Sequence, residues 1–410
     1  DPARARDATV REYQHGSPRF EWNPTFAWFL LLFFLFNVGL GIFPPLLPQI
    51  MEDLELSFAG TGLLGTAFGL FRFLVDLPAG YLLERLGPRI VLHGAAALLL
   101  LGTAVSAVAS SFWAMFLARA MLGTGSGMAM VFAILYLMRR GDAGHRNRRA
   151  NIYELSVVAG MAVSSQAGGV IAGGLGWRHS FVAASVVMAL AWVAGARGVL
   201  PGVRDLLRDG DTRVSGDLRD VRAPSLGPIV TVYMLIFAQA FAWGGGISTL
   251  LPLYGGEALR LTPETIGRSM AIAFWAEVCL LFPVGWAADV WGKAGVVLPG
   301  FLAMLVGTLA LPFSQGVWSY GIAFTLLVGG MSVWMAAPAL LAEQLAGGFR
   351  GKGAGLYRLV TDLGFIVAPG AVGWLIGASG FAAGSAVIAA VLVAAMALSL
   401  CYLRNPRPHR

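Results

Sequence analysis

Charged residues are scarce in this chain of 410 residues, in which Asp, Glu, Lys and Arg together make up 12%. A soluble domain carries about 25% of these residues, so the chain lacks the polar material to cover a water-facing globule. Long apolar runs take their place, and residues of the AVILMFWYC set make up 57% of the chain. The run 26–47 has no charge and exceeds the ~20 residues that cross the hydrocarbon core. The sequence therefore predicts a polytopic membrane protein.

The residue types that supply metal and redox chemistry are also few. Five histidines occur without ligand spacing, and Cys279 and Cys401 lie far apart in apolar stretches, so we expect the cysteines to pack rather than to pair. No HExxH, CxxC or GxxxxGK[ST] pattern is present, and these are the spacings that metal and phosphate chemistry require. We therefore expect no metal site, no cofactor, no catalytic residue and no enzymatic activity.

The apolar runs predict an all-α membrane protein, because backbone polar groups in lipid must find their partners within the segment. The ends of the predicted spans are uncertain by ~2–4 residues. Numbered in chain order, the twelve predicted spans lie at 26–48, 59–83, 88–110, 112–138, 150–174, 177–201, 226–254, 265–290, 294–315, 317–345, 353–376 and 378–403.

Positive charge is concentrated on one side of the predicted membrane. The loops after odd-numbered spans hold only Arg178, Arg260 and Arg268, whereas 23 of the 29 Lys and Arg residues lie in or beside the termini and the other loops. Lys and Arg mark cytoplasmic loops, so both termini are predicted to be cytoplasmic. The net charge of +7 is then a signal of topology, and we expect no binding to nucleic acid.

The chain divides into two halves of six spans each. The boundaries predict a cytoplasmic N-terminal segment 1–25, a first bundle 26–201, a cytoplasmic linker 202–225, a second bundle 226–403 and a cytoplasmic tail 404–410.

The two halves align with each other at an offset of 204 to 205 residues. Glycine- and proline-rich helices align easily, which is the simpler explanation, but the matches keep their order along the chain. Parallel six-helix repeats with a site between them are a known transporter design. The matched pairs are Pro78 and Pro283, Gly80 and Gly285, Glu84 and Asp289, Gly87 and Gly292, Tyr153 and Tyr357, Gly160 and Gly364, and Pro48 and Pro252.

Several motifs resemble those of the major facilitator superfamily, and the resemblance covers nearly the whole chain. After span 2, the stretch from Gly80 to Arg89 is similar to GxxxDRxGRR, with Glu84 in place of Asp. In span 4, the stretch from Arg119 through Gly123 is similar to RxxQGxG, and GWRxxF follows span 5 at 176–181. This implies the superfamily's twelve-helix fold of two pseudo-symmetric six-helix bundles. Within the superfamily, the chain most resembles bacterial drug or metabolite:proton antiporters.

The resemblance also implies roles for motif residues. Glu84 is expected to lie against the positive N-terminus of span 11, so that Gly80, Glu84, Arg85 and Arg89 form a gate. Alternatively, the two arginines only mark the cytoplasmic side. For Arg119, proton transfer and packing against span 1 are both open. The export motif GPxxGG lacks its proline at 168–173, so export rests on general resemblance.

Charges inside the predicted spans form two sets. In the superfamily, spans 2 and 11 are antiparallel neighbours, and each carries an Arg and an Asp at i,i+4 spacing: Arg72 and Asp76 on span 2, Arg358 and Asp362 on span 11. Residues at that spacing share a helix face. We therefore predict an ionic latch of Arg72 with Asp362 and Asp76 with Arg358, closed when the cytoplasmic side is closed. Alternatively, each pair is satisfied within its own helix.

Spans 5 and 8 carry Glu154 and Glu277 with no basic residue near them on either helix. A carboxyl group without a cationic partner in a low-dielectric site favours its protonated form. Glu277 is therefore the first candidate for the coupling proton and Glu154 the second. A neutral glutamate without a coupling role, or a contact between Glu277 and Arg72, are the alternatives.

Polar or amphipathic residues in long apolar helices are candidates for substrate contact, since spans 1 and 7 line the cavity in the superfamily. They are Asn37, Gln239, Trp243 and Ser248. The sequence thus predicts a monomeric secondary transporter in a bacterial cytoplasmic membrane that exports a small amphipathic molecule by proton-coupled alternating access. An importer or facilitator of a small organic anion or metabolite, bound by Arg72, Arg119 or Arg358, is the alternative.

Overall fold

The chain folds into long helices that pack against one another. No strand occurs in the ranges that the structure describes, which confirms the predicted all-α class. The predicted linker and terminal segments lie almost entirely outside these ranges. The computed structural model describes residues 23–139, 143–203, 226–334, 336, 340 and 350–402.

Eleven helical segments among the described residues are long and apolar enough to cross a membrane. The described part of span 10, Val317–Val333, is apolar but shorter, and most of the remaining predicted span lies outside the described residues. In chain order, the main helices are Pro24–Leu40 and Phe43–Asp53 (span 1), Phe58–Val108 (spans 2 and 3), Phe112–Arg139 (span 4), Ala143–Leu175 (span 5), Trp177–Ala194 (span 6), Leu226–Phe241 (span 7), Pro263–Trp291 (span 8), Lys293–Ala310 (span 9), Val317–Gly330 (span 10), Arg350–Ser379 (span 11) and Phe381–Tyr402 (span 12).

The duplication is visible in the backbone at two pairs of glycines. Spans 2 and 3 are two helices joined at Gly87, whose φ of 79° and ψ of 165° are not helical. At the equivalent join of spans 8 and 9, Gly292 has φ 80° and ψ 154°. Gly176 and Gly380, at an offset of 204, have φ values of 87° and 84°. Such values are nearly restricted to glycine, so the repeat keeps glycine where each half needs the same turn.

Spans 1 and 7 are irregular at equivalent heights. The helix of span 1 is interrupted between Leu40 and Phe43, and span 7 is π-helical over Ala242–Leu250. Irregular backbone at membrane depth is tolerated where it lines a cavity, and π-helical turns are frequent at functional sites. Both interruptions therefore point to the space between the halves.

The GWRxxF motif acts as a clamp between helix ends. Trp177 donates a hydrogen bond from Nε1 to Asp53 Oδ2 at 2.8 Å, and Arg178 forms an ion pair with the same oxygen at 2.8 Å. A further guanidinium N–H of Arg178 donates to the carbonyl oxygen of Ala109 at 3.2 Å. The motif thus joins the start of span 6 to the ends of spans 1 and 3.

The left-handed backbone of Gly176 gives a test of this turn. A Cβ atom added at Gly176 or at Gly174 would meet nothing within 4 Å, and only Gly176 has a positive φ. We expect Gly176→Ala to lower stability by ~1–3 kcal/mol through backbone strain, measured by thermal or denaturant unfolding in detergent. Gly174→Ala is the matched control and should be neutral or slightly stabilising, because Gly174 is helical. Equal effects of the two changes would contradict the assignment of strain.

Candidate functional site

A cavity of about 210 Å³ lies between the two halves of the chain. Both halves contribute to its wall, the first through spans 1 to 5 and the second through spans 7, 8, 10 and 11. Its ionisable lining residues are Arg72, Arg119, Glu154 and Glu277. Its aromatic lining includes Phe36, Phe43, Phe68, Tyr153, Trp243, Phe274, Trp334 and Phe365.

The two glutamates on this wall make no hydrogen bond or ion pair with another side chain in the described part of the chain. Glu277 on span 8 is 6% exposed, and Glu154 on span 5 is half-buried. The two carboxyl groups are close enough to interact electrostatically. A cavity wall with two carboxyl groups that form no ion pair among the described residues is suited to hold either a proton or a cationic group of a substrate.

The two arginines on the wall, by contrast, are engaged with protein groups. The guanidinium of Arg119 lies 4.0 Å from the ring centre of Phe43 and 4.6 Å from that of Phe68. Its Nε donates to the carbonyl oxygen of Leu64 at 3.3 Å. Arg72 lies 5.3 Å from the ring centre of Phe365. Cation–π contacts of this kind strengthen when they are desolvated, so packing against spans 1 and 2 accounts for the position of Arg119.

Two ion pairs join span 2 to span 11. Arg358 donates from Nε to Asp76 Oδ2 at 2.9 Å, and a second N–H of the same guanidinium reaches the same oxygen. Arg72 Nε lies 3.5 Å from Asp362 Oδ1. These are the partners that the antiparallel arrangement of the two i,i+4 pairs predicts.

The end of the bundle away from the arginine-rich loops, here called the opposite end, is tightly closed. Between spans 2 and 11, Thr66 donates from Oγ1 to the carbonyl oxygen of Ile366 at 2.7 Å, and the Cα of Gly373 lies 3.2 Å from the Cβ position of Gly62. Between spans 5 and 8, the Cβ position of Gly169 abuts the carbonyl oxygen of Pro263. Glycine permits such backbone contact between helices in membranes.

The other end, which carries the loops after spans 2, 4 and 8 and is here called the basic end, is less packed along span 8. From Val278 to Trp291 only Ala287 is buried, whereas eight residues are buried from Pro263 to Glu277. The ion pairs are therefore formed while the opposite end is closed. The expectation that they form on closure of the cytoplasmic side stays a prediction.

Three of the four candidate substrate residues, Asn37, Trp243 and Ser248, line the cavity. Gln239 is 2% exposed and does not line the cavity, so its contact with substrate stays a prediction. Gln239 and Trp243 would share a face in a regular helix, as residues four apart do.

Glycines of the span-4 motif hold span 4 against its neighbours. A Cβ atom at Gly123 would strike the carbonyl oxygen of Phe68, and one at Gly127 would lie 3.0 Å from the carbonyl oxygen of Arg72. Gly125 faces the other way, 2.9 Å from the carbonyl oxygen of Ala95 on span 3. The motif therefore brings Arg119 and span 2 into contact.

The predicted gate after span 2 is only partly described. The contacts of Gly80 and of the Glu84 side chain lie outside the described part of the structure, so the role of these residues stays a prediction. Arg85 and Arg89 are exposed, and the guanidinium of Arg85 lies 4.7 Å from the ring centre of Tyr81.

Charge exchange tests the ion pairs. Asp76→Arg places two cations together at half-buried positions, where the cost is below the about 3–5 kcal/mol of breaking a fully buried pair. We therefore expect the single variant to lose thermal stability and most transport. Adding Arg358→Asp restores opposite charges across spans 2 and 11 and should recover part of both. A double variant no better than Asp76→Arg would contradict a functional contact between these residues.

Glycine contact at the opposite end is tested by a matched pair on span 5. Gly169→Ala places a methyl group against the carbonyl oxygen of Pro263, whereas the nearest atom to a Cβ at Gly173 is at 3.5 Å, an ordinary contact. We expect Gly169→Ala to disfavour closure of this end and Gly173→Ala to leave it unchanged. The measurement is labelling of Ser248→Cys by an impermeant thiol reagent added at the opposite end, in a chain with Cys279→Ala and Cys401→Ala. Equal labelling in both variants would contradict the packing argument.

Comparison with known proteins agrees with this architecture. A sequence profile described as Major Facilitator Superfamily matches residues 29–267 and 232–410. A crystal structure of a POT family transporter in complex with 5-aminolevulinic acid superposes with a TM-score of 0.68 over 94% of this chain and 96% of that one. At 12% identity this likeness shows the fold alone.

Several curated bacterial proteins are similar in sequence over most of their length. The tetracycline resistance protein, class C, of Escherichia coli is 25% identical over 338 residues, which are 81% of this chain and 84% of that protein. The quinolone resistance protein NorA of Staphylococcus aureus is 23% identical over 352 residues, 83% of this chain and 87% of its own. The inner membrane transport protein YajR of Escherichia coli is 22% identical over 397 residues, 90% and 81% respectively. With the profile matching nearly the whole chain, this protein belongs to the Major Facilitator Superfamily.

Proposed function

We propose that this chain exports a small amphipathic organic molecule in exchange for protons. Membership of the superfamily makes it a multi-pass secondary transporter. The observation that carries the finer proposal is the cavity wall, where Glu154 and Glu277 lie beside aromatic rings without a basic partner among the described residues. The relatives named for tetracycline and quinolone resistance support export.

The distribution of contacts supports alternating access. Closure of the opposite end by glycine contacts leaves the cavity to communicate with the basic end, where span 8 is little buried. Transporters built from six-helix repeats rock one half against the other around a central site. In the reverse state, the contacts of Gly62 and Gly169 would part and spans 5 and 8 would approach at the basic end.

The orientation belongs to the same proposal. The distribution of Lys and Arg supports a cytoplasmic location of the basic end and of both termini in a bacterium, with the bundle in the inner membrane. The cavity is built from one chain, which supports function as a monomer. Its partners are then the substrate, protons and the bilayer, and nucleic acid has no part.

Glu277 gives the direct test of proton coupling. Glu277→Gln keeps the size of the side chain but removes its titration, so pH-gradient-driven accumulation in proteoliposomes should fall to background while substrate exchange without a gradient persists. Glu154→Gln should reduce coupling less, and Glu52→Gln, at an exposed position, is the control. A panel of fluorescent amphipathic molecules supplies the substrate. Unchanged pH-driven transport in Glu277→Gln would remove this residue from the mechanism.

Import or facilitated passage of a small organic anion is the second candidate. It is favoured by Arg72 and Arg119, which also line the cavity. The same proteoliposomes distinguish the two. Uptake of an organic anion without a pH gradient, lost in Arg119→Gln and kept in Glu277→Gln, would replace the export proposal.

A further inference from the structure

One buried carboxylate oxygen at the contact of spans 2 and 11 has no hydrogen-bond donor. Asp76 Oδ2 accepts both N–H groups that Arg358 offers, whereas Asp76 Oδ1 is buried without a partner. This oxygen packs against span 4, where it lies 3.1 Å from the Cβ position of Gly127. An acceptor without a donor in such a place is costly, and in native proteins it calls for a physical explanation.

A second carboxyl group lies beside it. The side chain of Asp362 is 3% exposed, and it belongs to the same cluster, because Arg72 and Asp76 on span 2 face Asp362 and Arg358 on span 11. Its cationic neighbour gives it little support, because Arg72 Nε is 3.5 Å from Asp362 Oδ1 and makes no hydrogen bond. Two neighbouring carboxyl groups at such positions do not both ionise readily.

Other charged or titratable groups around the two carboxyl groups do not supply the missing donor. Span 4 presents Gly127, which carries no charge. Span 5 presents Tyr153 and Glu154, and Tyr357 lies on span 11; these three groups interact electrostatically with one another or with Arg72 and Arg358. The hydroxyl group of Thr361 donates to the carbonyl oxygen of Tyr357, so it is also engaged.

We infer that Asp76 and Asp362 share one proton across the contact of spans 2 and 11. The proton forms an O–H···O hydrogen bond between the two carboxyl groups and gives Asp76 Oδ1 its donor. Arg358 stabilises the charge on Asp76 from the other side. The ion-paired latch is thereby also a proton site, distinct from Glu154 and Glu277.

Separation of the two helices changes the affinity of this site for its proton. When span 11 moves away from span 2, the proton stays on one carboxyl group without its second acceptor and then passes to water in the open cavity. On separation, the carboxylate of Asp362 is left with Arg358 on its own helix, and that of Asp76 with Arg72, each four residues away. One proton leaves and one negative charge appears. This role in the transport cycle rests on the proposed proton coupling, whereas the shared proton itself does not.

Infrared spectroscopy tests the shared proton without transport. The full chain is purified in a detergent that has no carbonyl group, and the C=O stretch of protonated carboxyl groups is measured at neutral pH. We expect Asp76→Asn and Asp362→Asn each to remove one protonated carboxyl group, because an amide at either position donates to the remaining carboxylate. The double variant should remove no more than either single variant. Asp53→Asn, at an ion-paired exposed position, should remove none.

Each other result overturns the inference. A band that persists in Asp76→Asn assigns the proton to Asp362 alone, a double variant that removes two bands means independent protons, and no change means two carboxylates. Isotope-labelled aspartate in the unmodified chain provides a measurement that does not depend on how the variants fold, since absence of a labelled protonated band is also a contradiction. If Glu277→Gln loses pH-driven transport while the aspartate band is intact, the inference of a shared proton stands. If the aspartate band is absent while Glu277→Gln loses pH-driven transport as predicted, only the shared proton is rejected.

Discussion

The free-energy cost of an ionisable side chain at bilayer depth determines where such residues lie in this molecule. Each such group costs at least ~2.5–3.5 kcal/mol when it has no partner or water, and the seam between the two halves is where partners and water are available. Arg72 and Asp76 come from span 2, Glu154 from span 5, Glu277 from span 8, and Arg358 and Asp362 from span 11. These four helices meet across the seam. The chemistry of transport is therefore located where the halves move against each other.

The seam combines two kinds of contact with different consequences for motion. At the opposite end, glycines on spans 2 and 5 bring backbone against backbone, and such contacts are lost over a small displacement because dispersion falls steeply with distance. Near mid-membrane, Arg358 and Asp76 interact over a longer range. A rocking motion can therefore open the glycine contacts first while the ion pairs still hold the halves in register. The aromatic rings of Trp243 and Phe365, 5.4 Å apart, fill the space between.

Much of this architecture could be predicted from the sequence, because hydrophobic runs, glycine turns and i,i+4 spacing are local properties. The partners of Arg72 and Arg358 followed from spacing once spans 2 and 11 were taken as neighbours. The burial of Gln239 away from the cavity was not predicted, because it depends on how span 7 packs against its neighbours and not on a local pattern. The partner of Trp177 and Arg178, Asp53, was missed because it lies 124 residues away and no periodicity connects them. The aromatic cage of Arg119 likewise depends on how three helices cross.

Charge balance at the seam links the proton sites to the substrate. The ionisable groups described in mid-membrane are four acidic side chains, Asp76, Glu154, Glu277 and Asp362, and three basic ones, Arg72, Arg119 and Arg358. Net charge in a low-dielectric region is unfavourable, so the seam is most stable with one further positive charge. A proton between Asp76 and Asp362 supplies it when the latch is closed. When the latch opens and that proton leaves, a second proton or a cationic substrate beside Glu277 restores the balance. Occupancy of the cavity and protonation of the latch are therefore coupled even though the two sites lie on different helices.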